Sequence, residues 1–265
     1  MGVNVPEQSS PSGRELRSRE GAERGTPPSY TPLNIWEEKS LSYDDSINNI
    51  SGDVDLKING YFQNIKYFIE NQNEIRTVFK IENDIIDKYK RILNCLKKDN
   101  TRFIAIHIRM PDLNTESTDT FLYSFPTENF IKKSMCKFDL ENDYFIFFSN
   151  DIARCITTYS NLPSKNIIFM GHEQSSWGTP PCTIREIEDL AFMSICDGYI
   201  LSPSTFGWWG CFLNRNHPSS SIIMMKPWFN IKSHGEKENK YIDLYFENSL
   251  IYNVIEDDFE RASGP

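Results

Sequence analysis

The chain has 265 residues, enough for one large or two small domains. It is acidic, with a formal net charge of −9 at pH 7, and no stretch concentrates lysine and arginine. Because nucleic-acid binding needs clustered cations that neutralise phosphates, this composition argues against nucleic acid as the main partner. No run approaches the roughly 20 apolar residues of a transmembrane helix, and the N-terminus lacks the apolar core of a signal peptide. We therefore expect a soluble chain without a transmembrane segment.

Neither the cysteines nor the acidic residues show the spacing of a metal site. The six cysteines are spread singly, without a Cys-x-x-Cys pair, which argues against zinc. Asp53-Val54-Asp55 has the paired carboxylates that can hold a divalent ion bridging a nucleotide diphosphate. Because no apolar strand leads into it and the surrounding loop is polar, a solvated turn is the favoured interpretation. We expect neither a metal nor another cofactor.

The distribution of residue types divides the chain into three parts. Residues 1–34 hold Pro, Ser, Gly, Arg and Glu and almost nothing that could be buried, so a disordered leader is expected. Residues 35–99 are expected to form a short, mostly helical N-terminal region. Apolar residues recur there at helical spacing after Gly60 and again over Glu82–Lys97. Residues 100–260 have a different pattern.

In residues 100–260, short apolar strands alternate with helices. The expected strands are Arg102–Ile108, Tyr144–Phe148, Ile167–Met170, Tyr199–Leu201 and Ile222–Met225. Helices are expected between them, after Thr127, over Ile152–Tyr159, from a cap at Thr183 through Cys196, and up to Leu213. This alternation predicts an α/β fold with a parallel sheet covered on both faces.

Polar groups follow three of these strands. His107 and Arg109 end the first, Ser149–Asp151 the second, and Ser204 and Thr205 follow the fourth. The carboxyl ends of parallel strands lie along one edge of a sheet, where α/β proteins bind ligands. We therefore expect these groups to converge on one ligand.

Each of these groups suits a part of a nucleotide diphosphate. Arg109 offers a planar guanidinium that stays charged near pH 7 and fits phosphate oxygens. Ser204 and Thr205 open a helix whose free N–H groups favour an anion. Asp151 can accept from the N–H edge of a base such as guanine, and His107 either contacts the base or holds the strand end.

Structural roles are the alternatives for the same residues. Ser204 or Thr205 can serve only as a helix N-cap, and Asp151 can cap the helix that follows it. Trp208 and Trp209 lie inside a predicted helix, which favours packing on the sheet over stacking on a sugar.

Six segments of the chain resemble the α-1,2-fucosyltransferase family, over about residues 60–230. They occur in the order typical of that family and are Gly60-Tyr61-Phe62-Gln63, His107-x-Arg109-x-x-Asp112, Phe148-Ser149-Asn150-Asp151, Asp189–Cys196, Ser204-Thr205-Phe206-Gly207-Trp208-Trp209-Gly210 and Lys226-Pro227-Trp228-Phe229.

The resemblance implies an inverting, metal-independent transfer of L-fucose from GDP-fucose to a galactose-containing glycan. It further implies a GT-B architecture with the donor in a C-terminal Rossmann-like domain. Arg109 matches the arginine on the donor β-phosphate and is the expected catalytic residue. His107 and Asp151 match positions around guanine, and Ser204 and Thr205 match a diphosphate-binding turn.

Two further residues have supporting roles by the same resemblance. Asp112 is expected to orient the loop that carries Arg109, and Ser149 to have a supporting role in the site. The family's second arginine is Met110 here, and its Ser-Asp-Asp is Ser149-Asn150-Asp151.

The family's Gly-rich turn with Gly-Asn-Gln does not occur before Gly60, so the N-terminal part is expected to be shortened. This leaves a second hypothesis, a catalytically inactive relative that binds a nucleotide sugar or a glycan. Family members include soluble bacterial enzymes and Golgi-anchored animal enzymes, so the compartment stays open between cytoplasm and Golgi lumen.

Overall fold

The computed structural model describes residues 34–39, 42–50, 55–60, 62, 64–111, 123–159, 161–170, 185–214, 221–234 and 244–262. Residues 1–33 of the expected leader, the proposed orienting residue Asp112 and the proposed cap Thr183 lie outside the described residues. None of the described helices is long and apolar enough to cross a membrane.

The described secondary structure consists of nine strands, seven α-helices and three short 3₁₀ helices. The strands are β1 Asn34–Glu37, β2 Leu56–Asn59, β3 Phe103–Ile108, β4 Tyr144–Ser149, β5 Ile167–Met170, β6 Gly198–Leu201, β7 Ile222–Lys226, β8 Leu250–Asn253 and β9 Asp258–Arg261. The helices are α1 Gln72–Val78, α2 Asn83–Leu96, α3 Glu128–Met135, α4 Ile152–Thr158, α5 Arg185–Met193, α6 Thr205–Phe212 and α7 Ile231–His234.

The main sheet has seven strands in the order β5-β4-β3-β6-β7-β8-β9. All neighbouring pairs are parallel except β8 and β9, so the predicted α/β fold with a mainly parallel sheet is confirmed. Numbered along the chain, the six parallel strands run 3-2-1-4-5-6, the order of doubly wound nucleotide-binding sheets. The order reverses between β3 and β6, and a crevice for ligands opens at their carboxyl ends.

The central strands are apolar on both faces because helices cover both. Alternate residues of β3 belong to opposite cores: Phe103 and Ala105 to one, Ile104 and Ile106 to the other. Helices α2, α5 and α6 contribute to the first core, and α3 and α4 to the second. Every residue of β3 is buried, and the apolar run of β4, from which a central parallel strand was predicted, is paired beside it.

The N-terminal region differs from the predicted pattern in its details. Helix α2 lies where it was predicted, whereas the segment after Gly60 forms two short 3₁₀ turns, Ile65–Tyr67 and Ile69–Asn71, before α1 begins. The Asn64 side chain accepts from the backbone N–H of Lys66 and starts the first turn. The parallel pair β1–β2 was not predicted.

Two glycines allow α6 to lie directly on its neighbours. A Cβ at Gly207 would stand 2.8 Å from Cγ and Nδ1 of His107, and a Cβ at Gly210 would stand 2.6 Å from Cε of Met193. Distances this short exclude an unshifted side chain, so close contact with β3 and α5 depends on glycine at both positions. This contact fixes the N-terminus of α6 beside the end of β3.

His107 is the polar residue of β3 that Gly207 of α6 contacts. Its side chain is 4% exposed, and Nδ1 has no hydrogen-bond partner within the described part of the chain. Burial, and secondarily the charge of Arg109, lowers the pKa of His107 from 6.5 to about 3. The imidazole is therefore neutral at physiological pH, and it packs against Gly207 of α6 without supplying charge.

The opposite end of the sheet is tied by one buried carboxylate. Asp143 accepts from the backbone N–H of Arg102 at 3.1 Å, from its guanidinium at 2.6 Å (Nη2) and 3.2 Å (Nε), and from the backbone N–H of Asp139 at 2.9 Å. Its side chain is fully buried. These bonds join the starts of β3 and β4.

We expect Asp143→Ala to lower the free energy of unfolding by about 2–4 kcal/mol, because it leaves buried N–H groups and the Arg102 guanidinium without their acceptor. Asp139→Ala is the matched control, since Asp139 accepts only within an exposed turn and its loss should cost much less. Urea denaturation of both variants measures the difference. Equal losses would contradict the bracing role of Asp143.

The buried neutral imidazole has a consequence for pH dependence. Because the folded pKa of His107 lies below the unfolded value, the unfolded state binds the proton first, and stability is lost as pH falls from about 6.5 towards about 3. In NMR titrations, one of the four imidazoles of the chain should show no shift between pH 8 and 5. The free energy of unfolding, measured by urea denaturation, should also fall between pH 7.5 and pH 5.5. Titration of all four imidazoles near pH 6.5 would refute the low pKa of His107.

Candidate functional site

The carboxyl ends of β3 and β6 are joined by hydrogen bonds at the point where the strand order reverses. The backbone N–H of Ser202 donates to the carbonyl of His107 at 3.1 Å, and the backbone N–H of Arg109 donates to Oγ of Ser202 at 3.0 Å. Two of the predicted groups, the Arg109 segment and the Ser204-Thr205 turn, are thereby brought together. Ser202 was not singled out from the sequence.

Ser204 and Thr205 form the entrance to α6. Ser204 occupies the N-cap position, but its side chain makes no capping bond to the helix, so the capping alternative is not what the structure shows. Thr205 is the first helical residue and is half-buried. The first N–H groups of a helix have no acceptor within the helix itself and attract anions. The geometry of this turn is therefore suited to a phosphate.

Asp151 takes the structural role that was the alternative to base recognition. Its Oδ1 accepts from the backbone N–H of Arg154 at 3.0 Å and caps α4, while its own N–H donates to Oγ of Ser149 at 3.1 Å. The cap uses one carboxylate oxygen. Since β4 is adjacent to β3, Asp151 lies at the same edge of the sheet as Arg109.

The two departures from the family pattern at this edge are in contact. The side-chain amide of Asn150 accepts from the N–H of Met110 at 2.8 Å and donates to its carbonyl at 3.1 Å. The Met110 side chain is fully buried. An aspartate at 150 could accept the first bond but could not donate the second. Position 110 therefore contributes core packing and no charge to the site.

The tryptophans of α6 pack as their helical position predicted. Trp208 stacks on Phe212 and Phe246 with centroids 5.0 and 4.8 Å apart, and its Nε1 donates to the carbonyl of Leu244 at 3.1 Å. Trp209 stacks on Phe68 at 5.9 Å. The face of α6 opposite the two packed glycines is thus covered by Phe68 of the N-terminal region and by Leu244 and Phe246 of the C-terminal part.

A pocket of about 420 Å³ lies between this face of α6 and the N-terminal region. Six of the described residues that line it are aromatic: Phe62, Phe68, Phe79, Trp208, Trp209 and Trp228. Thr205 and the fully buried Asn64 are the polar lining residues apart from the Trp228 indole. Because these residues are far apart in the chain, periodicity did not reveal the pocket, although three of the six family segments contribute to it.

Two features of the pocket wall are unfavourable in isolation. Phe62 has a φ of 50°, a left-handed conformation that costs a bulky residue about 1–3 kcal/mol, and its N–H donates to Oε2 of Glu38 at 3.2 Å. Trp228 is 3% exposed, and its Nε1 has no acceptor among the described residues, at a cost of about 1–3 kcal/mol. Unfavourable groups of this kind cluster at ligand sites.

The described residues hold no group of three His, Cys, Asp or Glu side chains that could bind a metal ion. Asp53 of the Asp-x-Asp triplet lies outside the described residues.

Comparison with known proteins identifies the family of the chain. The profile of glycosyl transferase family 11 matches residues 39–245. An alpha-1,2-colitosyltransferase of Escherichia coli is 27% identical over 194 residues, covering 72% of this chain and 62% of the relative. The O-antigen biosynthesis glycosyltransferase WbnK of Escherichia coli is 24% identical over 177 residues, covering 64% of this chain and 54% of the relative.

This chain thus spans less than two thirds of the length of either relative. No solved structure is significantly similar to it. The profile covers well over half of the chain, including every residue of the candidate site. The chain therefore belongs to glycosyl transferase family 11.

Proposed function

We propose that this protein is an inverting, metal-independent glycosyltransferase of GT-B architecture that moves L-fucose from GDP-fucose to a galactose-containing glycan. Membership of family 11 supports glycosyl transfer. One relative is named for α-1,2 transfer of colitose, which is the 3-deoxy form of L-fucose, and another for O-antigen synthesis, which suits a sugar acceptor.

The observation that carries the proposal is the bond between the Arg109 N–H and Ser202 Oγ. It holds the arginine segment and the entrance to α6 side by side at the crevice of the sheet. A cation and a helix N-terminus so placed suit the two phosphates of a nucleoside diphosphate. In doubly wound sheets, nucleotides commonly bind in the crevice where the strand order reverses, which supports the proposal.

The chemistry follows from where charge develops. The acceptor hydroxyl attacks C1 of fucose from the side opposite to GDP and releases its proton to solvent. The bond from C1 to the β-phosphate oxygen breaks, GDP leaves with the bonding electrons, and negative charge builds on that phosphate. Arg109 and the N–H groups of α6 stabilise this charge more in the transition state than in the ground state. The neutral His107 keeps α6 in place for this role.

The second hypothesis, a non-catalytic binding relative, is supported by Met110. Its fully buried side chain means that the position where the family has a second arginine supplies no phosphate contact. A weaker hold on the leaving group slows transfer but leaves nucleotide binding, so transfer assays separate the two hypotheses.

We expect Arg109→Ala to keep the fold and to lower the transfer rate at least ten- to a hundredfold, because a hydrogen bond to a charged group contributes about 1.5–3 kcal/mol. The matched control is Arg91→Ala, which removes an exposed arginine of α2. Radiolabelled fucose transfer measures both. Turnover by Arg109→Ala near that of the control would exclude the role assigned to this guanidinium.

The two roles of Asp151 can be separated by a substitution that keeps the cap. Serine is also a good N-cap, so Asp151→Ser should retain the melting temperature within a few degrees, whereas Asp151→Ala should lower it. If the second carboxylate oxygen accepts a hydrogen bond from guanine, the wild-type protein should bind GDP about ten- to a hundredfold more tightly than ADP, and both variants should lose this preference. Calorimetry with the two nucleotides tests this, and an unchanged preference in Asp151→Ser would leave Asp151 as a cap only.

A further inference from the structure

We propose that Asn150 is a positioning residue for the transfer reaction, because its side chain fixes the backbone that carries Arg109. Arg154 of α4 assists it. The inference rests on the proposed function, since it assumes that the Arg109 guanidinium stabilises the leaving diphosphate. It adds the groups that orient this guanidinium before the donor binds.

The arginine segment, residues 109–111, needs such support because it lies beyond the end of β3. The last pair between β3 and β4 joins Ile108 to Ser149, and β3 ends there. Beyond this pair the β-ladder stops, but the peptide groups of the segment still need hydrogen-bond partners. Side chains from neighbouring elements provide them.

Four hydrogen bonds hold the three residues of the segment. Asn150 accepts from the N–H of Met110 at 2.8 Å through Oδ1 and donates to its carbonyl at 3.1 Å through Nδ2. Arg154 donates through Nη1 to the carbonyl of Pro111 at 2.9 Å. The fourth bond is the one from the N–H of Arg109 to the turn that leads into α6. The backbone is thus held on both sides of the Arg109 Cα.

The two side chains that hold the segment are themselves anchored at the start of α4. Asn150 directly precedes the N-cap residue Asp151, whose Oδ1 accepts from the backbone N–H of Arg154 at 3.0 Å. The N–H of Asp151 in turn donates to Oγ of Ser149 at 3.1 Å. Because this turn follows β4 and the arginine segment follows β3, the bonds join two adjacent strand ends into one rigid edge.

The Asn150 amide replaces the peptide group that a longer β4 would have offered. It has an acceptor and a donor, as a peptide group has, so it satisfies both backbone groups of Met110. Met110 is also anchored by its fully buried side chain. The direction in which the Arg109 side chain leaves the backbone is therefore set in advance. A guanidinium that is already oriented stabilises developing charge without a cost of reorganisation.

Two asparagines provide the variants for a test. Asn150 is exposed, so Asn150→Ala removes its bonds to Met110 with little loss of buried surface. Asn166 provides the matched control, since its Nδ2 donates to the carbonyl of Glu141 at 2.8 Å. It directly precedes β5 and so lies at the opposite end of the parallel sheet from Arg109.

The experiment measures kcat and the KM for GDP-fucose in radiolabelled transfer to a galactoside by the full chain. We expect Asn150→Ala to lower kcat by about three- to thirtyfold and to change the KM by less than about twofold. The fall is in kcat because the guanidinium acts on charge that develops as the bond breaks. Asn166→Ala should change neither constant.

A double-mutant cycle separates positioning from a merely structural role. In the Arg109→Ala background, Asn150→Ala should lower kcat no further, because a residue that acts through the guanidinium has no effect on the rate once that group is gone. A residue that only supports the fold would lower kcat by the same factor in both backgrounds.

The failures are distinguishable. If wild-type protein transfers no label to any galactoside, the proposed function is wrong and the positioning role is overturned with it. If the wild type transfers label but Asn150→Ala lowers kcat equally with and without Arg109, only the positioning role is overturned. An unchanged kcat, or a change confined to the KM, would overturn it as well.

Discussion

The close contact between α6 and the end of β3 is the constraint on which the site depends. Gly207 has no side chain, so the helix lies directly against the His107 ring, and the neutral imidazole can be buried there without a charge. One residue past β3, the backbone of Arg109 is bonded to Ser202 in the turn that leads into α6. The backbone of Arg109 and the N-terminus of α6 are thereby held next to each other by packing that any larger residue at 207 would disturb.

The two faces of α6 have different roles: one packs on β3 and α5, and the other lines the aromatic pocket. Gly207 and Gly210 face β3 and α5 and make the close approach possible. Thr205, Trp208 and Trp209 face the N-terminal region and form one side of the aromatic pocket. The N-terminal region thus closes a cavity beside the start of α6, and its strained residue Phe62 forms part of that closure.

The central sheet could be predicted from sequence because its strands are buried on both faces. The continuous apolar runs in β3 and β4 indicate buried strands, and the polar residues directly after each run mark the ends of those strands. By contrast, β1 and β2 are short and largely exposed, and β8 and β9 pair through residues with no distinctive alternation. These four strands form because of contacts with elements that are neighbours in space, and the local sequence pattern does not contain that information.

The candidate site was predictable in its residues but not in their partners. His107 was recognised as a possible structural residue, yet its burial depends on Gly207, a hundred residues away. Asp151 allowed either of two roles until its bond to the Arg154 N–H was known. The pocket joins residues from Phe62 to Leu244, and no single segment carries its signal. Long-range packing decides the first and the last of these cases, whereas the Asp151 cap is a local bond between residues three positions apart.

Radiolabelled transfer from GDP-fucose to a small panel of galactosides is the measurement that tests the central claim most directly. We expect label in at least one galactoside product, with no requirement for a divalent metal in the presence of a chelator. Binding of GDP without transfer to any member of the panel would contradict the enzymatic claim and would favour a nucleotide-sugar-binding relative of family 11.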